Sequence, residues 1–598
     1  MARDRALLLR ELAPASRTLT AVAAGCVVVG ALLPTAFVIA TGAAVAAVPA
    51  AVRGGLHSPA GGHLVSIVVV AGALLAAWQT IAPVEEAVVD ALARRVQART
   101  YRRALAACLH PRTIAHLEDP DLLDLVHAAT ILTPGGPNAA VRNVLIDAGT
   151  VLSALAALAV VGAFHWWLAA LLLLSEAFLR QRSRAVHAKL VAFRAFNISG
   201  LRRATYLRGL ALDPGAAKET RVFGLAGWVV ARFRAAWLST MGEVWRQRRG
   251  HWRQLVVASA PVMAVALWSA WLLGSAALAG HIWVGALLVY VQALVSSVSS
   301  AYSGGDEIAI SEGAAVIAAT QKLEHAVDTD PRLLPGGKGA VPAEAPVVDI
   351  RLEGVSFAYP GRPAAVLRDL DLVIPAGRSL AIVGDNGAGK TTLVKLLARL
   401  YDPDAGRILV DGCDLAQLDT AAWQRRVAAV FQDFVRYPLT AAENVGFAAP
   451  FGEAHQRAAR LAGAASLIDG LPAGWATVLS RELKGGVDLS GGEWQRVALA
   501  RALFAAGVAG GGLLILDEPT AHLDARSEAA FIDGFLDATR GSTTIVISHR
   551  FSTVRRADHI VVLGDGRITE SGTHNELVAH GGRYAAMFAL QAQRFSDA

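Results

Sequence analysis

Cysteine is nearly missing from this chain of 598 residues. The three present, Cys26, Cys108 and Cys413, lie too far apart for a metal-ligand spacing and are too few for a disulfide framework. Each is read as an inert thiol. Charge is scarce as well. Only 18% of residues are Asp, Glu, Lys or Arg, against about 25% in an ordinary soluble domain. Lysine is rare beside arginine, which we attribute to genome composition. Hydrophobic residues make up 54% and mean hydropathy is +0.43, a membrane-like balance. The length itself implies more than one domain.

No charged residue interrupts Thr18 to Val52, a run too long for a secretory signal and long enough to span a bilayer. Five further apolar runs follow, giving six predicted membrane spans at about 18–52, 64–84, 145–164, 166–179, 255–279 and 282–302. The third and fourth, and the fifth and sixth, are joined by tight turns. Buried core helices of a soluble protein are the plain alternative, and six such runs argue against it. Arginine sets the orientation. Arg3, Arg5, Arg10 and Arg17 precede the first span, and Arg94, Arg95, Arg99, Arg102 and Arg103 follow the second. Arg202, Arg203, Arg208, Arg246, Arg248 and Arg249 follow the fourth, whereas the opposite loops hold only Arg53. The positive-inside rule places both termini and both long loops in the cytoplasm of a multi-pass protein of the cell membrane. This distribution of the net charge of +7 fits a membrane surface rather than nucleic acid. The two long loops read as helical and are expected to prolong the spans.

Residues 1–327 are thus expected to form an all-α membrane domain. Pro and Gly mark 328–346 as a linker. From Val348 the pattern changes to short apolar runs alternating with helices, which predicts an α/β domain over 347–594 with a mostly parallel sheet.

Val348 to Tyr359, which opens that domain, alternates like an antiparallel strand. A predicted buried strand, Ser379 to Val383, then runs into Gly384-Asp385-Asn386-Gly387-Ala388-Gly389-Lys390-Thr391-Thr392 and a helix. Gly-x-x-x-x-Gly-Lys-Ser/Thr between strand and helix is a phosphate-binding loop. Its backbone N–H groups would wrap a β-phosphate, Lys390 would neutralise β and γ oxygens, and Thr391 would ligate Mg²⁺. Gly512 to Glu518 (GLLILDE) reads as a buried strand ending in two acids. Asp517 would hold the metal and Glu518 would act as general base toward water. Thr543 to Ser548 is another such strand and ends at His549, a donor suited to a γ-phosphate. Gln432 follows the run VAAVF, where its amide would meet metal and attacking water. Tyr359, upstream, is an aromatic available to stack on a nucleobase. Gln432, Tyr359 and His549 are each weak signals alone, with surface or core packing as the bland alternative. A second anion cradle comes in Leu489-Ser490-Gly491-Gly492-Glu493-Trp494-Gln495, a Ser-Gly-Gly turn opening a helix.

In this order the series Tyr359, GDNGAGKTT, Gln432, LSGGEWQ, LLILDE, Ala521-His522-Leu523-Asp524 and His549 resembles the ATP-binding-cassette family, and six preceding spans make the whole chain similar to an exporter-type half-transporter. The resemblance implies that ATP and Mg²⁺ are bound. Tyr359 would stack on adenine. Gly384, Asn386, Gly387, Ala388, Gly389, Lys390, Thr391 and Thr392 would hold its phosphates. Thr391, Gln432 and Asp517 would serve the metal, and Glu518, His549 and Gln432 catalysis. It also implies that Ser490, Gly491, Gly492 and Glu493 close on ATP held by a second subunit, with Asp524 at the boundary. One such domain per chain then requires a partner half, a homodimer being simplest because no motif is degenerate and a heterodimer being the alternative. Leu117 to Leu125 and Ala217 to Arg232 resemble the short helices that couple the two domains.

The cargo is less legible. Gln79, Glu176, Trp268, Trp271, Tyr290 and Gln292 are polar or amphipathic residues within the spans and so candidate cavity residues. Glu176 is the most unusual, because an acid there is costly, and an ion pair with Arg180 is its ordinary explanation. The apolar spans favour export of an amphipathic or hydrophobic small molecule or peptide by alternating access. An importer, or an ATPase serving as gate or sensor, is the competing reading.

Overall fold

The computed structural model describes residues 2–55, 57–130, 136–196, 198–302, 306–330, 333, 337–361, 364–508, 512–519, 539 and 541–596, with backbone alone at 2, 186–196, 198–202, 214, 243–244, 247–252, 508 and 592–596. The chain divides into two compact units, Met1–Ala106 with Leu125–Glu324, and Ala107–Asp124 with His325–Ala598.

All regular structure described before residue 330 is helical. The helices are α1 (Ala2–Ala15), α2 (Arg17–Gly54), α3 (Pro59–Leu109), α4 (Ala115–Glu118), α5 (Pro120–Thr130), α6 (Pro137–Phe164), α7 (Trp166–Phe196), α8 (Ile198–Leu212), α9 (Pro214–Val222), α10 (Ala226–Leu278), α11 (Val284–Tyr302) and α12 (Glu307–Thr329). Among the described residues, five stretches are long and apolar enough to cross a bilayer: α2, α3, α6, Arg253–Leu278 within α10, and α11. The remaining expected span falls on α7. There Glu176, Arg180 and Arg182 interrupt the apolar run within one bilayer crossing. The count of six therefore rests on a helix carrying a buried acid.

Local sequence explains the helix lengths. Beyond its apolar part, α3 continues through Ala, Leu and Arg, all strong helix formers, so nothing ends it before Leu109. His165 alone separates α6 from α7, and α10 ends on a Schellman pair in which His281 N–H donates to the Ala276 carbonyl at 2.9 Å. Helices α2 and α11 cross closely. A Cβ added at Gly42 would lie 2.9 Å from the Gly285 carbonyl oxygen, so only hydrogen fits. Ion pairs join the helices where the apolar runs end. Arg5 of α1 lies 3.0 Å from Asp147 of α6 and 2.6 Å from Glu307 of α12, and Arg184 of α7 approaches the same two acids at 3.6 and 3.3 Å. Arg103 of α3 pairs with Glu324 at 2.5 Å and Glu11 at 3.3 Å.

The second unit is α/β. A four-stranded sheet in the order β2-β1-β4-β5 contains β1 (Asp349–Phe357), β2 (Leu367–Pro375), β4 (Ala405–Val410) and β5 (Cys413–Asp414), all antiparallel. A six-stranded sheet in the order β10-β9-β3-β8-β7-β6 contains β3 (Ser379–Gly384), β6 (Val427–Val430), β7 (Leu513–Asp517), β8 (Thr543–Ile547), β9 (His559–Gly564) and β10 (Arg567–Gly572). It is parallel except for the β9–β10 hairpin. Strands β7 and β8 are buried at every position, as continuous apolar runs require. Ile547 pairs with both Ile382 and Asp517 in register. The carboxyl ends of β3, β7 and β8 are thereby level, and in open parallel sheets that edge is where ligands bind.

Candidate nucleotide site

The first loop at that edge follows β3. Gly384 has φ +150°, and a Cβ there would collide with the Leu563 carbonyl of β9, so the chain turns where only glycine is accommodated. The helix Lys390–Leu397 starts directly after the loop, aiming its free N–H groups back at it. Lys390 Nζ donates to the carbonyls of Gly384 at 2.7 Å and Asp385 at 2.9 Å. Burial lowers the Lys390 pKa, and the charges of Glu518, Asp517 and Asp385 oppose that shift. Thr391 Oγ1 donates to Asp517 Oδ2 at 2.9 Å. Burial raises the Asp517 pKa, with the Thr391 hydrogen bond working against it. A hydroxyl and an ammonium from the first turn of that helix are thus brought to the carboxylate that ends β7.

Glu518 follows in the left-handed region, at φ +51°. A non-glycine residue there is strained and needs support from its surroundings. Its N–H donates to the Ile547 carbonyl at 2.9 Å, and its own carbonyl accepts from Gln495 Nε2 at 3.2 Å. One carboxylate oxygen lies 3.2 Å from His549 Nδ1. Gln591, from the helix Arg583–Ser596, donates to the His549 carbonyl at 3.0 Å and accepts from Phe551 N–H at 3.0 Å, holding the histidine loop.

The second cradle opens the helix Gly491–Val508. Ser490 N–H donates to Glu493 Oε2 at 2.7 Å, and Glu493 N–H donates to Ser490 Oγ at 3.4 Å. This is a capping box, with Ser490 as the cap. The Ser490 N–H holds the Glu493 carboxyl below its ordinary range. Trp494, buried behind the turn, donates through Nε1 to Asp488 Oδ1 at 3.2 Å.

Residues 367–521 match the family model described as ABC transporter. The second unit carries an ABC transporter cassette. Among curated relatives, the ATP-dependent lipid A-core flippase of Chromohalobacter salexigens is 44% identical over 246 residues, and that of Escherichia coli K12 is 42% identical over 246. Each match spans 41% of this chain and 41% of the relative, so the chain is matched over about two-fifths of the curated relatives' length. Among solved structures, a bacterial Atm1-family ABC exporter with ATP bound superposes with a TM-score of 0.73 at 24% identity, covering 96% of this chain and 98% of that one. The whole chain therefore shares the fold of that structure, a helical part with five candidate spans and an α/β cassette.

The remaining expected residues of the cassette distribute as follows. An open cleft of about 720 Å³ runs beside the phosphate loop, walled among others by Val366, Arg368, Asp385, Asn386, Gly387 and Arg583. None of Leu489–Gln495 lines it. Thr392 is buried, and its Oγ1 lies 3.0 Å from the Tyr359 hydroxyl. Tyr359 packs edge-on against Phe357 and Tyr401 at 5.2 and 5.5 Å between ring centroids. Gln432 is exposed just past the carboxyl end of β6. Asp524 and the rest of Ala521-His522-Leu523-Asp524 lie outside the described residues. Gln495, Gln591 and Arg583, which pairs with Asp385, were not anticipated. The only advance signal was the position of Gln495 on the helix that Ser490 opens.

The candidate cavity residues scatter. Glu176 is 1% exposed and accepts a hydrogen bond from Ser297 of α11. Arg180 donates to the Ser300 carbonyl at 3.1 Å, so the direct hydrogen-bond partner of Glu176 is a serine. Trp268 packs on Trp167 and Tyr290 on Phe164, at 5.4 Å in both cases, near the α6–α7 turn. Trp271, Gln79 and Gln292 are exposed.

Proposed function

We propose that this protein is an ATP-driven membrane transporter that exports an amphipathic or hydrophobic small molecule or peptide by alternating access. The observation that carries the reading is the meeting of Thr391 with Asp517 at 2.9 Å and of His549 with Glu518 at 3.2 Å, beside a lysine held in a phosphate loop. Hydroxyl and carboxylate suit Mg²⁺, which takes one or two protein oxygens and completes its shell from phosphates and water. Thr391, Asp517 and the Gln432 amide would hold it, and it would polarise the γ-phosphate when bound. Glu518 draws a proton from the attacking water. His549 orients that carboxylate and donates toward the γ-phosphate. Lys390 leaves its two carbonyl partners for β and γ oxygens. Tyr359 receives the adenine.

The turn at Ser490 serves a second copy of the chain. Its N–H groups and helix dipole suit a phosphate, here that of the partner's nucleotide. A homodimer follows, with a partner half of another sequence as the alternative. Both termini and the cassette lie in the cytoplasm. The similarity to lipid A-core flippases favours an amphipathic cargo over a fully soluble one. Co-expression of Lys390→Ala with Ser490→Arg tests the shared site. Each variant alone should be inactive, whereas mixed dimers regain one intact site and with it ATP hydrolysis. Mixtures as inactive as either parent would refute sharing, and turnover by a strictly monomeric preparation would do so too. Cargo-stimulated hydrolysis in vesicles, with accumulation of cargo, separates an exporter from a gate or sensor.

A further inference from the structure

The segment Ala107–Asp124, which turns the chain from α3 into α5, packs within the cassette unit. Ile114 N–H donates to the Leu400 carbonyl at 3.1 Å, and Gln424 Nε2 donates to the Arg112 carbonyl at 3.0 Å. His116 is 1% exposed and stays within the segment, its Nε2 lying 2.8 Å from the Cys108 carbonyl. A charged pair adds to the docking. Glu118 Oε1 lies 3.3 Å from Lys395 Nζ, on the helix that follows the phosphate loop.

Lys395 has a second set of partners. Its ammonium lies 5.2 Å from the centroid of the Tyr359 ring and 5.7 Å from that of Tyr401. Cations are drawn to the negative face of an aromatic ring within about 6 Å. The Tyr359 hydroxyl is anchored to Thr392 on the same helix as Lys395. Its ring is thus fixed at the hydroxyl end by Thr392, at the edge by Phe357 and Tyr401, and over one face by Lys395. Tyr401 belongs to the same cluster. Burial, and then the neighbouring Glu118 carboxylate, push its hydroxyl pKa upward, so it stays a neutral wall.

One ammonium therefore touches both a docked segment and the ring expected to receive a nucleobase. Stacking a base on the open face of Tyr359 pins the ring against Lys395. The pinned ammonium in turn fixes Glu118. We propose that Lys395 is a positioning residue that seats Tyr359 for the nucleobase and, through Glu118, makes the docking of Ala107–Asp124 depend on whether a base is stacked there. This rests on the reading above that Tyr359 carries the base. Phosphates alone, gripped by Lys390, would not engage this route.

The test uses the full-length protein in lipid nanodiscs with Glu518→Gln, so that nucleotide is not consumed. Hydrogen exchange at Ile114 is followed with Mg²⁺ and either ATP or tripolyphosphate. ATP should slow exchange at Ile114 and tripolyphosphate should not. Lys395→Gln should abolish the slowing and weaken ATP binding about two- to fivefold, with tripolyphosphate affinity unchanged, and Lys395→Arg should restore both. Glu118→Gln should keep ATP affinity and lose the slowing. Equal slowing by the two ligands, or full slowing by ATP in Lys395→Gln, overturns the proposal. Tyr359→Ala separates the layers. Unchanged ATP affinity in that variant removes the base-stacking reading itself. Weakened affinity with the slowing intact removes only the relay.

Discussion

Replacing Gln495 by alanine tests how the cassette holds Glu518, the proposed general base. The Gln495 side chain is 3% exposed, and its Nε2 reaches the Glu518 carbonyl at 3.2 Å. Leaving this part-buried carbonyl without its donor costs up to about 1–3 kcal/mol. Glu518 already sits at φ +51°, a region that costs an L-residue about 1–2 kcal/mol. Without the amide, a return to ordinary backbone angles competes with the strained one. A loss of about 1–3 kcal/mol in the transition state is a fall in kcat of about 5- to 150-fold. In the proposed site the nucleotide is gripped elsewhere, by Lys390, Thr391 and Tyr359, so KM for ATP should stay within about twofold. Gln495→Glu keeps the size but cannot donate, and should behave like the alanine variant. The assay is steady-state ATP hydrolysis in nanodiscs, with thermal unfolding as a control for folding. An unchanged kcat in a folded Gln495→Ala protein, or a loss carried wholly by KM, would refute the reasoning.

Three other outcomes are expected. Glu518→Gln should retain ATP binding, measured by equilibrium dialysis, while hydrolysis drops by about 10²–10⁴; hydrolysis at the parent rate removes Glu518 as the base. Asp517→Asn bears on stability through pH. Burial raises the Asp517 pKa, so its contribution is full in acid and is lost as pH rises through that raised value. Without Mg²⁺ the asparagine variant should therefore melt above the parent near neutral pH, and the gap should close in acid; a parent that melts higher at neutral pH contradicts this. Glu493→Ala removes half of a capping box and should cost about 1 kcal/mol near neutrality. The Glu493 pKa is depressed, so that cost should vanish as pH falls through the depressed value, seen in melting curves across pH.

What could be read in advance was whatever is contiguous. Gly384 to Thr392 carries its own turn, donors and helix start, so strand, loop and helix follow from one stretch. The strands ending at Asp517 and Ile547 announce themselves as unbroken apolar runs. The level register of those strands is what converts separate motifs into one edge, and the run at Val348 showed only one member of the antiparallel sheet. Contacts between distant side chains were not legible. Gln495 and Glu518 meet only because a helix start packs against a strand end, and Lys395 meets Glu118 only because Ala107–Asp124, distant in sequence, belongs to the same compact unit. Glu176 shows the converse. Its oddity was visible, but its partner, Ser297, lies 121 residues away on another helix, whereas Arg180 was the obvious neighbour in sequence.

The unbroken run of α3 through 51 residues has a mechanical corollary. Along its contour such a helix measures about 77 Å, and a hydrocarbon slab consumes only about 30 Å of it. An added amino acid near Ala93 would advance everything downstream by a trivial ~1.5 Å, yet swing it about 100° around the axis. What this rod transmits is angular phase, and a single-codon insertion would scramble it while leaving both ends folded.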